Sequence, residues 1–251
     1  MAGTFAIKAT RVAIVVAVFA IWELLSRTGI VNPRLLPSAS DTLVMLWELL
    51  QRAAIRNDLM VTASEVLTAF ILAVPVGALI GFAIAEKRYF AEVAKPLLFF
   101  AFSIPKSIFL PMFILVFGVG FSQKVGFGFF STIFIVIMST TTAVESVKVE
   151  HLTVARSYGA TPLQTAFRVY LPSMLPVLLE ALRISMIFNL TGVILAEMYA
   201  SRDGIGHQIA TWGEDFQMKQ LLAGVLMIGA IAIAFNELVR WVETRCSHWR
   251  T

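Results

Sequence analysis

Charged side chains are scarce along this chain, so the few that interrupt its apolar runs carry most of the chemical information. Lys106 stands in an apolar stretch beside Pro105, with Ser103 three residues earlier. Glu180 and Arg183, also three residues apart, share one face of any helix that contains them and can pair. Glu197 closes another apolar run. A lysine in hydrocarbon is costly unless it faces water, pairs or snorkels. The chemistry of such residues is attraction and neutralisation of ions, not bond making. No nucleophile, base or metal-ligand cluster converges on an apolar run, so no catalytic residue is assigned and the chain is not read as an enzyme. His151, His207 and His248 share no ligand spacing, and no metal site is expected. Cys246 is the sole cysteine, which excludes an intrachain disulfide. Without a Gly-x-x-x-x-Gly-Lys-Ser/Thr run the chain has no P-loop for ATP, and no cofactor is expected on it.

The elements that must position these residues are membrane spans. The 251 residues are 58% hydrophobic and 14% charged, with a mean hydropathy of +0.82, whereas soluble domains are about 25% charged. The expected class is all-α integral membrane: one transmembrane domain over 1–251, with about six helices near 11–27, 64–85, 97–118, 125–147, 175–197 and 219–241. The uncharged stretch 66–85 is long enough to cross ~30 Å of hydrocarbon. It contains Gly77 and Gly81, a Gly-x-x-x-Gly pair that permits close helix contact. The sequence around Trp22 and Glu23 has no small-residue cleavage site, so the first run is read as an uncleaved span. After it, Ser38 or Ser40 caps a helix with Leu43, Leu46, Trp47 and Leu50 on one face, an interfacial pattern.

If the third span starts near Leu97, Lys106 lies roughly 14 Å along it, and Pro105 bends it there. Either Lys106 faces a polar route and favours an anion, or the span is registered differently and the ammonium reaches an interface. Glu197 marks an outer docking surface or the water boundary, and Gly204-Ile205-Gly206 a turn in an outer loop. The net charge of +4 fits a cytoplasmic Lys/Arg bias better than a nucleic-acid partner. That bias places both termini and the segment 148–172 inside.

The segment 148–172 is the one long polar stretch between apolar blocks. Leu152, Ala155 and Tyr158 repeat at helical spacing, and Gly159 suits a left-handed C-terminal cap. Thr161 then reads as an N-cap, Pro162 as the first helical position and Gln164 as the far half of a capping box. The second helix runs to Leu171, where Pro172 and Pro176 redirect the chain. Taken alone, this corner is also compatible with an amphipathic linker on the membrane face.

The run Ala155-Arg156-Ser157-Tyr158-Gly159-Ala160, followed by Phe167, Leu171 and Pro172, resembles the cytoplasmic coupling loop of binding-protein-dependent ABC importer permeases of the type I fold. It is most similar to the branch serving aliphatic sulfonates, taurine and nitrate. Leu36-Pro37-Ser38, Ile104-Pro105 with Pro111, Phe117-Gly118, and Ala196-Glu197 followed by Gly204-Ile205-Gly206 match in the same order. The loop departs from the family where Thr153-Val154-Ala155 replaces its usual Glu-Ala-Ala start, with Glu150 one turn earlier.

The resemblance implies a permease subunit in the bacterial inner membrane that forms the path for a small, anionic solute. Two copies, expected as a homodimer, would pair around a two-fold axis with two ABC ATPase subunits carrying ATP and Mg. A periplasmic or lipid-anchored binding protein would deliver the solute. It implies ATPase coupling for Glu150, Leu152, Ala155, Arg156, Tyr158, Gly159 and Ala160, with Thr161, Gln164, Phe167, Leu171 and Pro172 as support. Ser103, Pro105, Lys106 and Glu197 are the translocation-path candidates. The alternative class is an ion-gradient-driven secondary transporter, which usually shows inverted repeats and paired mid-span acids.

Overall fold

The computed structural model describes residues 2–246, and the side chains of these except 2–5, Lys8, Arg88, 242–244 and Cys246; His248 lies outside the described residues. It is built of helices, with no strand among the described residues. They are α1 (Ala2–Arg27), α2 (Ala39–Gln51), α3 (Ala53–Ala85), α4 (Arg88–Ser103), α5 (Leu110–Phe117), α6 (Phe121–Glu145), α7 (Val149–Ser157), α8 (Pro162–Thr165), α9 (Leu171–Tyr199), α10 (Ile205–Glu214) and α11 (Met218–Cys246). Five stretches are long and apolar enough to span a membrane, and a sixth is a bent pair. Broad apolar faces stay exposed, as on Leu79, Phe100 and Leu115. A soluble monomer rarely leaves such area uncovered; here it is surface for lipid or partner chains.

The centre is a triple in which α6 packs between α3 and α9, the two most extensive helix pairings among the described residues. Small residues let the backbones approach. A Cβ on Gly77 would lie 2.8 Å from Val136 Cβ, and one on Gly81 2.6 Å from the Ile137 carbonyl oxygen. Across the other seam a Cβ on Gly192 would meet Ser131 Oγ at 2.6 Å. The Gly-x-x-x-Gly pair is therefore a contact seam, filled by α6.

The third span bends at Pro105 as expected, the chain turning by 77° between its halves. After Ser103, Ile104 and Pro105 are extended and a single 3₁₀ turn, Lys106–Phe109, leads into α5. Proline removes a backbone donor and holds its predecessor out of the helical region, so the break falls at Pro105. One expectation needs correction: Pro172 and Pro176 do not redirect the chain, because 162–199 forms a single helix. The π-helical turn Ala166–Tyr170 widens the ladder just where Pro172 would otherwise meet the carbonyl one turn back. The stripe Leu43, Trp47 and Leu50 on α2 is exposed, compatible with the interfacial pattern, and Ala39, Thr42 and Leu49 are buried. Leu49 packs with Ile205, Ile209, Trp212 and Met227, so α2 is seated on α10 and α11. Its cap is Ser38, whose Oγ accepts from the Asp41 N–H at 3.1 Å.

Candidate functional site

The polar corner is rigid for local reasons. At the end of α7 the Gly159 N–H donates to the Arg156 carbonyl at 2.9 Å and the Ala160 N–H to the Ala155 carbonyl at 3.0 Å. This is a Schellman motif, with Gly159 at φ +71°. Two residues later the Gln164 N–H donates to Thr161 Oγ1 at 3.3 Å. The Thr161 N–H returns a bond to Gln164 Oε1 at 2.9 Å, completing the capping box. The corner is anchored from within by Leu152, which packs with Val147, Met174, Phe82 and Tyr170 at the ends of α3, α6 and α9. Leu152 thus faces the body of the protein and holds the corner in place, while Ala155 and Ala160 are half-buried.

What the corner presents outward is Val154, Tyr158, Leu163 and Phe167, with Glu150, Arg156 and Arg168 exposed around them. Tyr158 is 88% exposed. Val154 and Leu163 were missed by reading the segment as a sequence; their places follow only once the angle between α7 and α8 is fixed. An apolar ridge rimmed by charge is the anatomy of a protein–protein contact.

Lys106 lies at the break between α4 and α5. Its ammonium sits 4.3 Å from the Phe102 ring centroid and 5.9 Å from those of Phe134 and Phe188, and donates to the Phe102 carbonyl at 3.3 Å. Among the described residues no carboxylate pairs with it. It lines a pocket of ≈ 320 Å³ with Ser103, Pro105, Ser107, Ser131 and Thr191. Ser103, Ser131 and Thr191 donate their hydroxyl protons to the Phe99, Phe127 and Ile187 carbonyls, so the group suited to a small anion with an apolar body is the Lys106 ammonium among its aromatic faces.

Glu197 is not in that pocket. It is 0% exposed and lies at the opposite end of the triple from α7. Glu197 Oε1 accepts from Thr62 Oγ1 at 2.6 Å and Oε2 from the Gly206 N–H at 2.7 Å. Thr62 Oγ1 in turn accepts from the Ile205 N–H at 2.9 Å. Asp58 accepts from the Gly204 N–H at 3.1 Å and from Gln208 Nε2 at 2.8 Å. Beside them Lys124 Nζ pairs with Glu65 Oε1 at 2.5 Å and donates to Ser201 Oγ at 3.1 Å. The carboxylates clamp the 200–206 loop onto the triple. A Cβ on Gly206 would stand 2.7 Å from Glu197 Oε2, so glycine there is a requirement of close approach. This knot was invisible in the sequence, where Lys124 reads as an outer-loop charge.

A family model described as the binding-protein-dependent transport system inner membrane component matches residues 73–248. This chain belongs to that family. The permease is 24% identical over 234 residues to the taurine transport system permease protein TauC of Escherichia coli K12, covering 91% of this chain and 85% of TauC. It is 24% identical over 233 residues to the putative aliphatic sulfonates transport permease protein SsuC of Bacillus subtilis 168, with 93% and 84% covered. Among solved structures, a chain of the inward-facing MetNI methionine ABC transporter superposes with a TM-score of 0.58 at 21% identity, covering 79% of the permease and 98% of that chain. These place the protein among multi-pass ABC importer permeases, whose named relatives are transport proteins rather than enzymes.

Proposed function

We propose that the permease forms half of the path by which a small organic anion, of the sulfonate, taurine or aromatic carboxylate type, is imported. ATP and Mg²⁺ bind to separate ATPase subunits that grip the corner 149–171 from the cytoplasm. Two identical copies complete the path, both termini lie on the ATPase side, and a binding protein docks at the end holding α10. The observation that carries the reading is the exposed ridge of Val154, Tyr158, Leu163 and Phe167 on a doubly capped corner. Among the described residues nothing covers it, and its two caps fix the angle at which it is presented. The relatives' names and the aromatic-lined Lys106 pocket support an anionic solute. In this reading ATP-driven approach of the two ATPases draws the corners together and turns the path outward.

The test places a cysteine at Tyr158 in a Cys246→Ser background and applies a short bifunctional cross-linker to membranes active in uptake. Capture of an ATP-hydrolysing subunit from position 158, but not from a cysteine at Ser40 at the far end, is the expected result. Uptake that persists while position 158 captures no ATPase overturns the assignment.

A further inference from the structure

The buried knot at the Glu197 end of the triple is one hydrogen atom short. Glu197 uses both oxygens, on Thr62 Oγ1 and on the Gly206 N–H, and Glu65 Oε1 takes the Lys124 ammonium. Glu65 is 1% exposed, and its Oε2 is enclosed with no donor. The Glu65 and Glu197 carboxyls lie within hydrogen-bonding range of each other. An ionised carboxyl only accepts, so two of them in contact bond only through a proton. Out of water, two such charges do not ionise together.

Charge balance gives the same answer. Around the pair stand Lys124 on α6, Asp58 on α3 and Asp203 in the 200–206 loop. Asp58 is satisfied by the Gly204 N–H and the Gln208 amide, while Asp203 and Arg202 are exposed at the rim. On α10, His207 bonds neither carboxyl, and Lys219 of α11 pairs with Asp41. The enclosed core is thus two carboxyls against one ammonium, an excess of one negative charge that burial penalises. One added proton makes it neutral.

The same bonds seat the loop. Lys124 donates to Ser201 Oγ, which donates to the Asp203 carbonyl, and Glu197 holds Gly206. A Cβ on Gly204 would overlap Glu197 Oε1, so the loop backbone is packed directly on the carboxyl. We propose that Glu65 and Glu197 form a proton-binding site, with one proton shared between their carboxyls, and that this proton latches the 200–206 loop onto the triple. When it dissociates to water, two negative charges face each other and the loop is pushed off.

The experiment uses the full-length permease in nanodiscs of ether lipid, which adds no ester carbonyl to an infrared spectrum. Near pH 8 free carboxyls are ionised, so the wild type should show a carboxylic-acid C=O band that shifts in D₂O. Glu65→Gln places an amide NH₂ where the orphan oxygen stands and keeps an oxygen for Lys124, so it should fold and lose that band. The native wild type holds a proton that its unfolded chain releases above about pH 4.3, so its stability falls as pH rises, relative to the variant. From pH 6 to pH 8 the ratio of their unfolding constants should grow about hundredfold, which is about 2.7 kcal/mol and roughly 5–11 °C in melting temperature at this size. At one alkaline pH, trypsin should cut at Arg202 faster in the wild type than in Glu65→Gln. A wild type without the acid band, the mark of two ionised carboxyls bridged by water or a cation, overturns the proposal whether or not the variant folds. So does a band unchanged by Glu65→Gln, or a melting-temperature gap that grows by less than about 2 °C over that range. Equal cleavage of the two proteins overturns the latch.

Discussion

Replacing Lys124 by Met should be among the most damaging single changes outside the 149–171 corner. Lys124 is 3% exposed and its partner Glu65 1%, with the ion pair at 2.5 Å. Glu65 Oε2 is buried with no hydrogen-bond donor. Removing the ammonium leaves the Glu65 carboxyl uncompensated beside Glu197, and breaking a buried pair from one side costs about 3–5 kcal/mol. At about 2–4 °C per kcal/mol for a chain of this size, the melting temperature should fall by roughly 6–20 °C. Replacing both partners by apolar residues of similar volume removes the charge as well as its mate. The double variant Lys124→Met/Glu65→Leu should therefore be more stable than Lys124→Met. Thermal unfolding in nanodiscs, followed by tryptophan fluorescence at one fixed scan rate, reads both. A loss in Lys124→Met of less than about 2 °C, near 1 kcal/mol on the same scale, would refute the reasoning. So would a double variant whose loss equals the sum of the singles, the mark of independent sites.

Other outcomes follow from the same geometry. Gly81→Val places a side chain where even a Cβ lies 2.6 Å from a backbone oxygen of α6; backbone cannot yield as a side chain can, so the inserted yield of folded protein should collapse in a size-exclusion assay. Gly159→Val meets no steric obstacle but forces a β-branched residue to φ +71°, so the complex should still assemble while solute uptake falls sharply. Lys106→Gln keeps the reach and removes the charge, so uptake of an anion should drop severalfold with assembly unchanged; identical uptake kinetics would remove Lys106 from the path.

The corner at 149–171 was legible because its determinants are local. A glycine after a helical repeat and a Thr-x-x-Gln pair state their hydrogen bonds within six residues of sequence. The spans were legible from charge-free length. What escaped were features whose partners are remote. Lys124 and Glu65 are 59 positions apart, and each alone reads as the end of an apolar run. Asp58, Thr62 and Glu65 made α3 look shorter than its 33 residues, since polar side chains signal water unless a loop 140 residues away is known to satisfy them. The exposed stripe of α2 was legible from its spacing, whereas the burial of Ala39, Thr42 and Leu49 was not, since it follows close approach of α10 and α11. Pro172 was read as a break because proline rules are written for a regular α-helical ladder, and the π turn before it is not one.

That π turn has a mechanical result. Because 162–199 is a single helix, the corner and the far loop at Glu197 are the two tips of one rod of about 57 Å at ~1.5 Å per residue. A pivot of about 5° at the Thr161 tip sweeps the Glu197 tip through about 5 Å over that length, close to one helical pitch. A chain broken at Pro172 would absorb such a rotation at the kink; the continuous helix carries it from one end to the other.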